Sequence, residues 1–135
     1  MTRPASGGAG DAGVNPFGYS AAVWRLFRLA PRAGSFAGPD TLTGEAETPA
    51  SRSRLRLQVK MAQTRIGDAC FQAYGCPTTI AVGAWLAERA VGREVAELSG
   101  IDAKAIREAL EIPEDRTHCA LLGEDAVKSL LSQAR

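Results

Sequence analysis

Two cysteines and one histidine are the side chains of this sequence with the clearest capacity for chemistry. Cys76 follows Gly75 and precedes Pro77, and a long apolar segment begins at Thr78. Because proline is favoured in the first turn of a helix, this order predicts that Cys76 lies at a helix N-terminus. The helix dipole and the free N–H groups there favour a thiolate over a thiol. A thiolate is the form of cysteine that binds metals and accepts sulfur.

The single histidine, His118, directly precedes Cys119 near the start of the last predicted helix. Imidazole and thiolate are both ligands for zinc and iron. A lone cysteine, however, is most often a small buried apolar residue, and a lone histidine is more often structural than ligating. Spacing alone does not show that Cys76 meets Cys119. The residues therefore leave two interpretations open, a metal or sulfur site and a set of unconnected side chains.

The composition favours one globular domain in a reducing compartment. The chain has 135 residues, of which 45% are hydrophobic, enough for one core. A net charge of +1 gives no general attraction to nucleic acids or to anionic membranes, and no apolar run reaches transmembrane length. Three cysteines are an odd number without a disulfide framework. These features predict a cytoplasmic protein that binds neither nucleic acid nor membrane.

Hydrophobic periodicity predicts the elements that must position these side chains. Residues 1–18 are rich in Gly, Ala and Pro, which is typical of a flexible tail. Alternation predicts a strand over 51–61 and a second strand over 65–74, with weaker strand character over 43–48. In the first strand, the residues that share one face are Ser53, Leu55, Leu57, Val59 and Met61. Helical spacing predicts helices over 21–29, 78–91, 94–98, 103–111 and 119–133.

A series of short motifs, in order from Gly18 to Ala126, makes the chain resemble a known family. The motifs are Gly18-Tyr19-Ser20, Pro31-Arg32, Gly34-Ser35-Phe36, Leu57-Gln58-Val59-Lys60, Asp68-Ala69, Tyr74-Gly75-Cys76, Ile80-Ala81, Ile112-Pro113 and His118-Cys119-Ala120-Leu121-Leu122-Gly123-Glu124-Asp125-Ala126. With them the sequence resembles the IscU/NifU-type iron–sulfur cluster assembly scaffolds. The Tyr-Gly-Cys turn and the His-Cys pair before Glu-Asp-Ala are specific to that family.

This resemblance implies a fold, a function and a set of partners. It implies an α+β domain over 19–135, in which a small three-stranded antiparallel sheet packs against helices, as in SufE/NifU-like proteins. It implies that Cys76, His118 and Cys119 bind iron, a 2Fe–2S cluster or, in the same place, zinc. The protein would then be a scaffold and not an enzyme. Its expected partners are a cysteine desulfurase and iron–sulfur acceptor proteins.

The sequence also departs from the family pattern at the expected ligands. Where the family has Ala-Cys-Gly-Asp, this chain has Ala50-Ser51-Arg52-Ser53, so Ser51 replaces a ligand cysteine and Ser53 replaces a carboxylate. A serine hydroxyl stays protonated near neutral pH and is a poor ligand for a soft cluster. Cys70 does not restore the missing thiolate, because a regular strand would hold it about 20 Å from Cys76.

A second departure concerns the chaperone segment, and both departures leave an alternative function open. The family has Leu-Pro-Pro-Val-Lys where this chain has Ile112 to Arg116, with Glu114 and Asp115 at two formerly apolar positions. We therefore do not expect contact with an Hsp70-type chaperone in its usual mode. The alternative is a degenerate relative that is no scaffold and instead binds zinc, accepts a persulfide or regulates a cysteine desulfurase.

Overall fold

The computed structural model describes residues 18–49 and 51–134. Its helices are α1 (Ala21–Leu29), α2 (Pro77–Ala90), α3 (Ala103–Leu110) and α4 (Thr117–Gln133), with 3₁₀ helices at Val95–Gly100 and Glu114–Arg116. Its strands are β1 (Thr41–Thr48), β2 (Ser53–Ala62) and β3 (Arg65–Tyr74). The predicted α+β class with a three-stranded sheet is confirmed. The predicted tail, apart from Gly18, lies outside the described residues.

The three strands form an antiparallel sheet in the order β1-β2-β3. Alternation in β2 turns Leu55, Leu57 and Val59 into the core, as predicted, and each is at most 1% exposed. Leu57 stands opposite Gly44 on β1 and Phe71 on β3. One face of the sheet therefore packs against α2 and α4.

The opposite face of the sheet is partly buried, which the sequence pattern did not predict. Gln58 and Cys70 lie on this face and are only 6% and 4% exposed. The backbone N–H of Phe36 donates to Gln58 Oε1 at 2.8 Å, so the segment before β1 covers this part of the sheet. Cys70 Sγ donates to the same oxygen at 3.8 Å. Cys70 thus contacts Gln58 on the covered face of the sheet.

Both edges of the sheet are covered by other parts of the chain. The N–H groups of Thr43 and Glu45 on β1 donate to Gln133 Oε1 and Ser129 Oγ of α4 at 2.9 Å and 3.1 Å. On the other edge, Phe71 exchanges backbone hydrogen bonds with residues 32 and 34. These contacts satisfy strand groups that would otherwise be open to another chain. They also fix α4 lengthwise along β1.

Helix α2 is apolar on nearly every side and lies deep in the fold, as its sequence predicted. Helix α4 begins at Thr117, earlier than the predicted start at residue 119, and Arg116 is its N-cap. The reason is the 3₁₀ turn Glu114–Arg116, which runs directly into α4 and draws the Thr117 hydroxyl to the Glu114 carbonyl at 2.8 Å. Within the described residues, no helix has the length and apolarity needed to cross a membrane.

Gly44 sets the distance between β1 and α4. A Cβ at this position would clash with the carbonyl oxygen of Ala126 and would lie 2.7 Å from the backbone nitrogen of Leu130. Both are backbone atoms of a long helix, so they cannot move aside as a flexible side chain could. The close approach of strand and helix therefore requires glycine here.

We predict that Gly44→Ala lowers the free energy of unfolding by about 3 kcal/mol, because the added methyl group overpacks a rigid contact. Urea denaturation measures this. Gly100→Ala is the matched control, since a Cβ there meets nothing within 4 Å, and we expect it to change stability by at most about 0.5 kcal/mol. Equal effects of the two substitutions would contradict the described packing of α4 on β1.

Candidate metal and sulfur site

The structure brings Cys76 and Cys119 together at one end of the molecule. Gly75 directly follows β3 and has φ +148°, a backbone conformation that residues with a side chain rarely adopt. Cys76 is then the N-cap of α2, with proline in the first turn, as predicted. Cys119 lies in the first turn of α4 and not ahead of it. The two Sγ atoms are 3.8 Å apart although 43 positions separate them in the sequence.

A buried threonine contacts both sulfur atoms. The Thr79 hydroxyl donates to Cys119 Sγ at 3.5 Å and lies 3.7 Å from Cys76 Sγ. Thr79 and Cys119 are both 0% exposed, whereas Cys76 is partly open to solvent. Cys76 is therefore the thiol that an incoming reactant meets first.

The two thiols have opposite pKa shifts. The hydrogen bond from Cys119 lowers the pKa of Cys76 to about 4; burial opposes this, and the hydrogen-bond donors of Thr79 and Thr78 assist it. The same hydrogen bond and its own burial raise the pKa of Cys119. A buried thiol that donates to a neighbouring thiolate keeps its proton, so the two cysteines differ in reactivity although both lie near helix N-termini.

Arg116 and Tyr19 form one side of the site, and Arg116 supplies its positive charge. The Arg116 guanidinium lies 4.7 Å above the centre of the Tyr19 ring, and its Nη1 donates to the Tyr19 hydroxyl at 3.1 Å. Burial alone would lower the pKa of Arg116, but the Tyr19 hydrogen bond and interactions with Cys76 together raise it. A cation therefore lies beside the more acidic of the two thiols.

Ser51 and Ser53 form a row of hydroxyl groups that leads towards the cysteines. The Thr48 and Ser51 oxygens are 2.7 Å apart, and Ser51 Oγ donates to Ser53 Oγ at 3.1 Å. Ser53 is only 4% exposed. A Cβ on Gly75 would lie 2.9 Å from Ser53 Oγ and 3.2 Å from Thr79 Oγ1, so the row ends close to Thr79. The two positions where the family pattern has a thiol and a carboxylate carry hydrogen-bonded hydroxyls.

His118 is exposed on the first turn of α4. In the described part of the chain, no group of three or more His, Cys, Asp or Glu side chains is arranged to hold a metal ion. The structure thus pairs the two predicted cysteine ligands and leaves the predicted histidine ligand outside such a group.

Comparison with known proteins identifies the family. The family model described as "NifU-like N terminal domain" matches residues 18–133. The chain belongs to this family. The IscU iron–sulfur cluster assembly scaffold protein of Buchnera aphidicola from Schizaphis graminum is 35% identical over 117 residues, which cover 84% of this chain and 91% of that protein. The scaffold protein IscU of Escherichia coli is 32% identical over 117 residues, covering 84% and 91%.

Solved structures support the same fold for this NifU-like chain. The N-terminal part of a NifU-like protein from Brucella abortus matches with a TM-score of 0.69 and 19% identity, over 83% of this chain and 90% of that one. A putative scaffold protein for the SUF system from Fervidobacterium islandicum matches with a TM-score of 0.68 and 17% identity, over 84% and 96%. At these identities the likeness concerns the fold alone.

Sequence reasoning missed three members of this NifU-like site. Thr79 could have been found, because it lies one helical turn after Cys76 and a helix places such residues on one face. Tyr19 and Arg116 gave no local signal of their contact, since 97 positions separate them. Their pairing depends on tertiary packing, in which α2 contacts both α1 and α4.

We predict that the alkylation rate of Cys76 by iodoacetamide stays nearly constant between about pH 6 and about pH 8. The thiolate dominates above its pKa of about 4, so raising the pH adds little reactive form. Cys119→Ala removes the largest cause of that low pKa, and the Cys76 rate should then rise with pH. Residue-resolved mass spectrometry measures both.

Cys119→Ser is the matched control for this experiment, because its hydroxyl still donates to Cys76. It should retain most of the flat profile. A Cys76 rate in the unmodified chain that climbs about tenfold per pH unit, as for an ordinary thiol, would contradict the described hydrogen bond.

Proposed function

We propose that this protein is an iron–sulfur cluster assembly scaffold, which holds iron and sulfur and passes them on without catalytic turnover. The observation that carries the proposal is the 3.8 Å separation of Cys76 and Cys119 in a chain of the NifU-like family. Thiolates are the usual ligands of iron in iron–sulfur clusters. Relatives that cover most of the chain are named as cluster assembly scaffolds.

The proposed cargo is iron or a 2Fe–2S cluster, with zinc as an alternative in the same place. Cys76 and Cys119 supply two sulfur ligands, and His118 supplies the third from the first turn of α4. An exposed side chain such as His118 can rotate towards bound iron without disturbing the core. A 2Fe–2S cluster needs four terminal ligands, so the fourth comes from a partner thiol, a small thiol or a second protomer.

The proposed partners follow from this role. A cysteine desulfurase supplies sulfur to the half-buried Cys76, and apo-proteins that need clusters receive the product. Glu114 and Asp115 are exposed in the 3₁₀ turn before α4. Two acidic side chains there do not favour the usual contact of an Hsp70-type chaperone with an apolar segment.

Anaerobic reconstitution with iron and sulfide tests the proposal. We expect visible absorption and Mössbauer signals of a cluster in the unmodified chain and their loss in Cys76→Ser and Cys119→Ser. Cys70→Ser is the matched control, because Cys70 contacts Gln58 on the covered face of the sheet and lies outside the site; its cluster yield should be unchanged. A signal retained in Cys76→Ser and Cys119→Ser, or lost equally in all three variants, would contradict a cluster held by these two cysteines.

A second function is favoured by the hydroxyl groups at the two positions where the sequence differs from the family pattern. Ser51 and Ser53 hydrogen-bond to each other and offer no third thiolate. A site with two thiols would suit a relative that accepts a persulfide, binds zinc or regulates a cysteine desulfurase without building clusters. Unchanged spectra after reconstitution, together with stable zinc binding or sulfur on Cys76, would support this alternative.

We predict that Ser51→Cys increases the cluster yield per protomer, because it adds a thiol at the start of the hydroxyl row that ends near Thr79. At this exposed turn the change should alter stability by at most about 0.5 kcal/mol. Adding Ser53→Asp should offset the positive charge of Arg52 and Arg54, its neighbours in the sequence. The yield is measured after identical reconstitution, first with and then without added small thiol.

Ser99→Cys is the matched control, since it adds an exposed thiol in the 3₁₀ helix Val95–Gly100, beyond the far end of α2. A gain with Ser51→Cys and none with Ser99→Cys would support a ligand position at Ser51. Equal yields in the unmodified chain and Ser51→Cys, even without added thiol, would show that the Ser51 turn does not contribute to the site.

A further inference from the structure

Arg116 is a permanent positive charge beside the thiols and hydroxyls of the site. Its guanidinium has a pKa far above neutral, so it carries its charge under all physiological conditions. It is the N-cap of α4, and Cys119 in the first turn of that helix has its Sγ 3.8 Å from Cys76 Sγ, so the Arg116 and Cys76 side chains lie near enough to interact. A charge in this place acts on whatever is bound to the Cys76 sulfur.

Tyr19 holds this cation in place from the other end of the chain. The ring lies 4.7 Å below the guanidinium, and the hydroxyl accepts from Arg116 Nη1 at 3.1 Å. The neighbouring Ser20 caps α1 by accepting from the Val23 N–H, and its hydroxyl donates to the Leu110 carbonyl at 2.6 Å. Tyr19 also stacks on Trp24 with ring centres 6.1 Å apart. The segment that carries Tyr19 is therefore fixed to α1 and to the end of α3.

The proposed function, on which this inference rests, requires sulfur to arrive on a cysteine. Cys76 Sγ attacks the terminal sulfur of a persulfide donor, the sulfur–sulfur bond of the donor breaks, and a new sulfur–sulfur bond forms on Cys76. The electron pair leaves with the donor thiolate, so nothing is oxidised or reduced overall. The transferred sulfur carries a negative charge at the partly open surface of the site.

We infer that Arg116 is the cation that binds the anionic sulfur carried on Cys76, and that Tyr19 is the residue that positions Arg116. The arrangement favours a bound group whose atom next to Cys76 Sγ is negatively charged. The terminal sulfur of a persulfide is such an atom. Lys would supply the charge but not the planar stacking on Tyr19. The site thus uses a contact between the first and last described helical regions to stabilise sulfur.

Two disulfide reagents distinguish a local charge from a structural effect. Dithionitrobenzoate carries two carboxylates and dithiodipyridine is neutral, yet both react with Cys76 by the same exchange. The rate constant for dithionitrobenzoate divided by that for dithiodipyridine therefore reports the charge around Cys76. Changes in thiol exposure or nucleophilicity alter both rate constants and leave this ratio nearly unchanged. Peptide mass spectrometry assigns the reaction to Cys76.

We expect Arg116→Gln to lower this ratio about fivefold at low salt, as for one partly exposed charge contact, and less at high salt. Arg116→Lys should restore most of it. Tyr19→Ala should lower the ratio partly, and Tyr19→Phe, which keeps the ring, should lower it less. Thermal melts identify any variant that fails to fold, and Arg116→Lys and Tyr19→Phe keep the test informative in that case.

Arg89→Gln is the matched control. Arg89 also carries a guanidinium over an aromatic ring, 5.2 Å from the centre of Trp85, but near the opposite end of α2 from Cys76. Its loss removes one charge and one ring contact and should leave the ratio unchanged. A ratio in Arg116→Gln equal to that in Arg89→Gln would overturn the inference.

Sulfur loading provides the second readout. A small-molecule persulfide loads Cys76 in one arm, and a cysteine desulfurase with its cysteine substrate loads it in the other. We expect the persulfide on Cys76 to decay about fivefold faster in Arg116→Gln in both arms, since the bound anion is the same. Failure of the unmodified chain to form a cluster on reconstitution would count against the proposed function only, because the reagent ratio does not depend on iron.

Discussion

The close contact between helices α2 and α4 decides where the two sulfur atoms lie. A Cβ on Gly123 of α4 would lie 2.6 Å from Val82 Cγ1 of α2, so the Val82 side chain packs directly onto the α4 backbone and the two helices come close together. Gly123 is one turn after Cys119, and Val82 is about one turn after Thr79, so each pair shares a helix face. The contact therefore brings Cys119 Sγ to the Thr79 hydroxyl and to Cys76 Sγ. Gly44 and the edge contacts of β1 fix α4 in the same position.

The charge balance of the site follows from which groups this packing brings together. The buried Cys119 thiol donates to Cys76, Arg116 stands beside them, and hydroxyls occupy the positions of a thiolate and a carboxylate in the family pattern. The site thus has fewer anionic groups than that pattern and keeps a permanent cation. Such a site is suited to cargo that brings negative charge with it.

Local signals in the sequence predicted much of the fold. Ser20 caps α1 and Asp102 caps α3, and the bounds of α1 and β3 agree with the prediction, because capping side chains and period-two burial are encoded within a few residues. The predicted start of α4 was wrong because a 3₁₀ turn runs directly into this helix. The burial of Cys70 was missed because Phe36, far away in the sequence, covers it through Gln58.

The candidate site was predictable only where the family pattern names its residues. Periodicity places Cys76 at a helix start but cannot bring it to Cys119, because that contact depends on two helices and their glycine. The Tyr19–Arg116 pair and the pKa difference between the cysteines likewise arise from tertiary packing and burial, which a one-dimensional pattern does not contain.

The measurement that tests the central claim most directly is X-ray absorption at the zinc edge of the protein loaded with one zinc ion per chain. The account predicts two sulfur neighbours at about 2.3 Å, completed by nitrogen or oxygen ligands. Cys119→Ser should reduce the number of sulfur neighbours to one, and Cys70→Ser should leave it at two. A zinc ion with no sulfur neighbour, or with sulfur lost only in Cys70→Ser, would contradict a metal site built on Cys76 and Cys119.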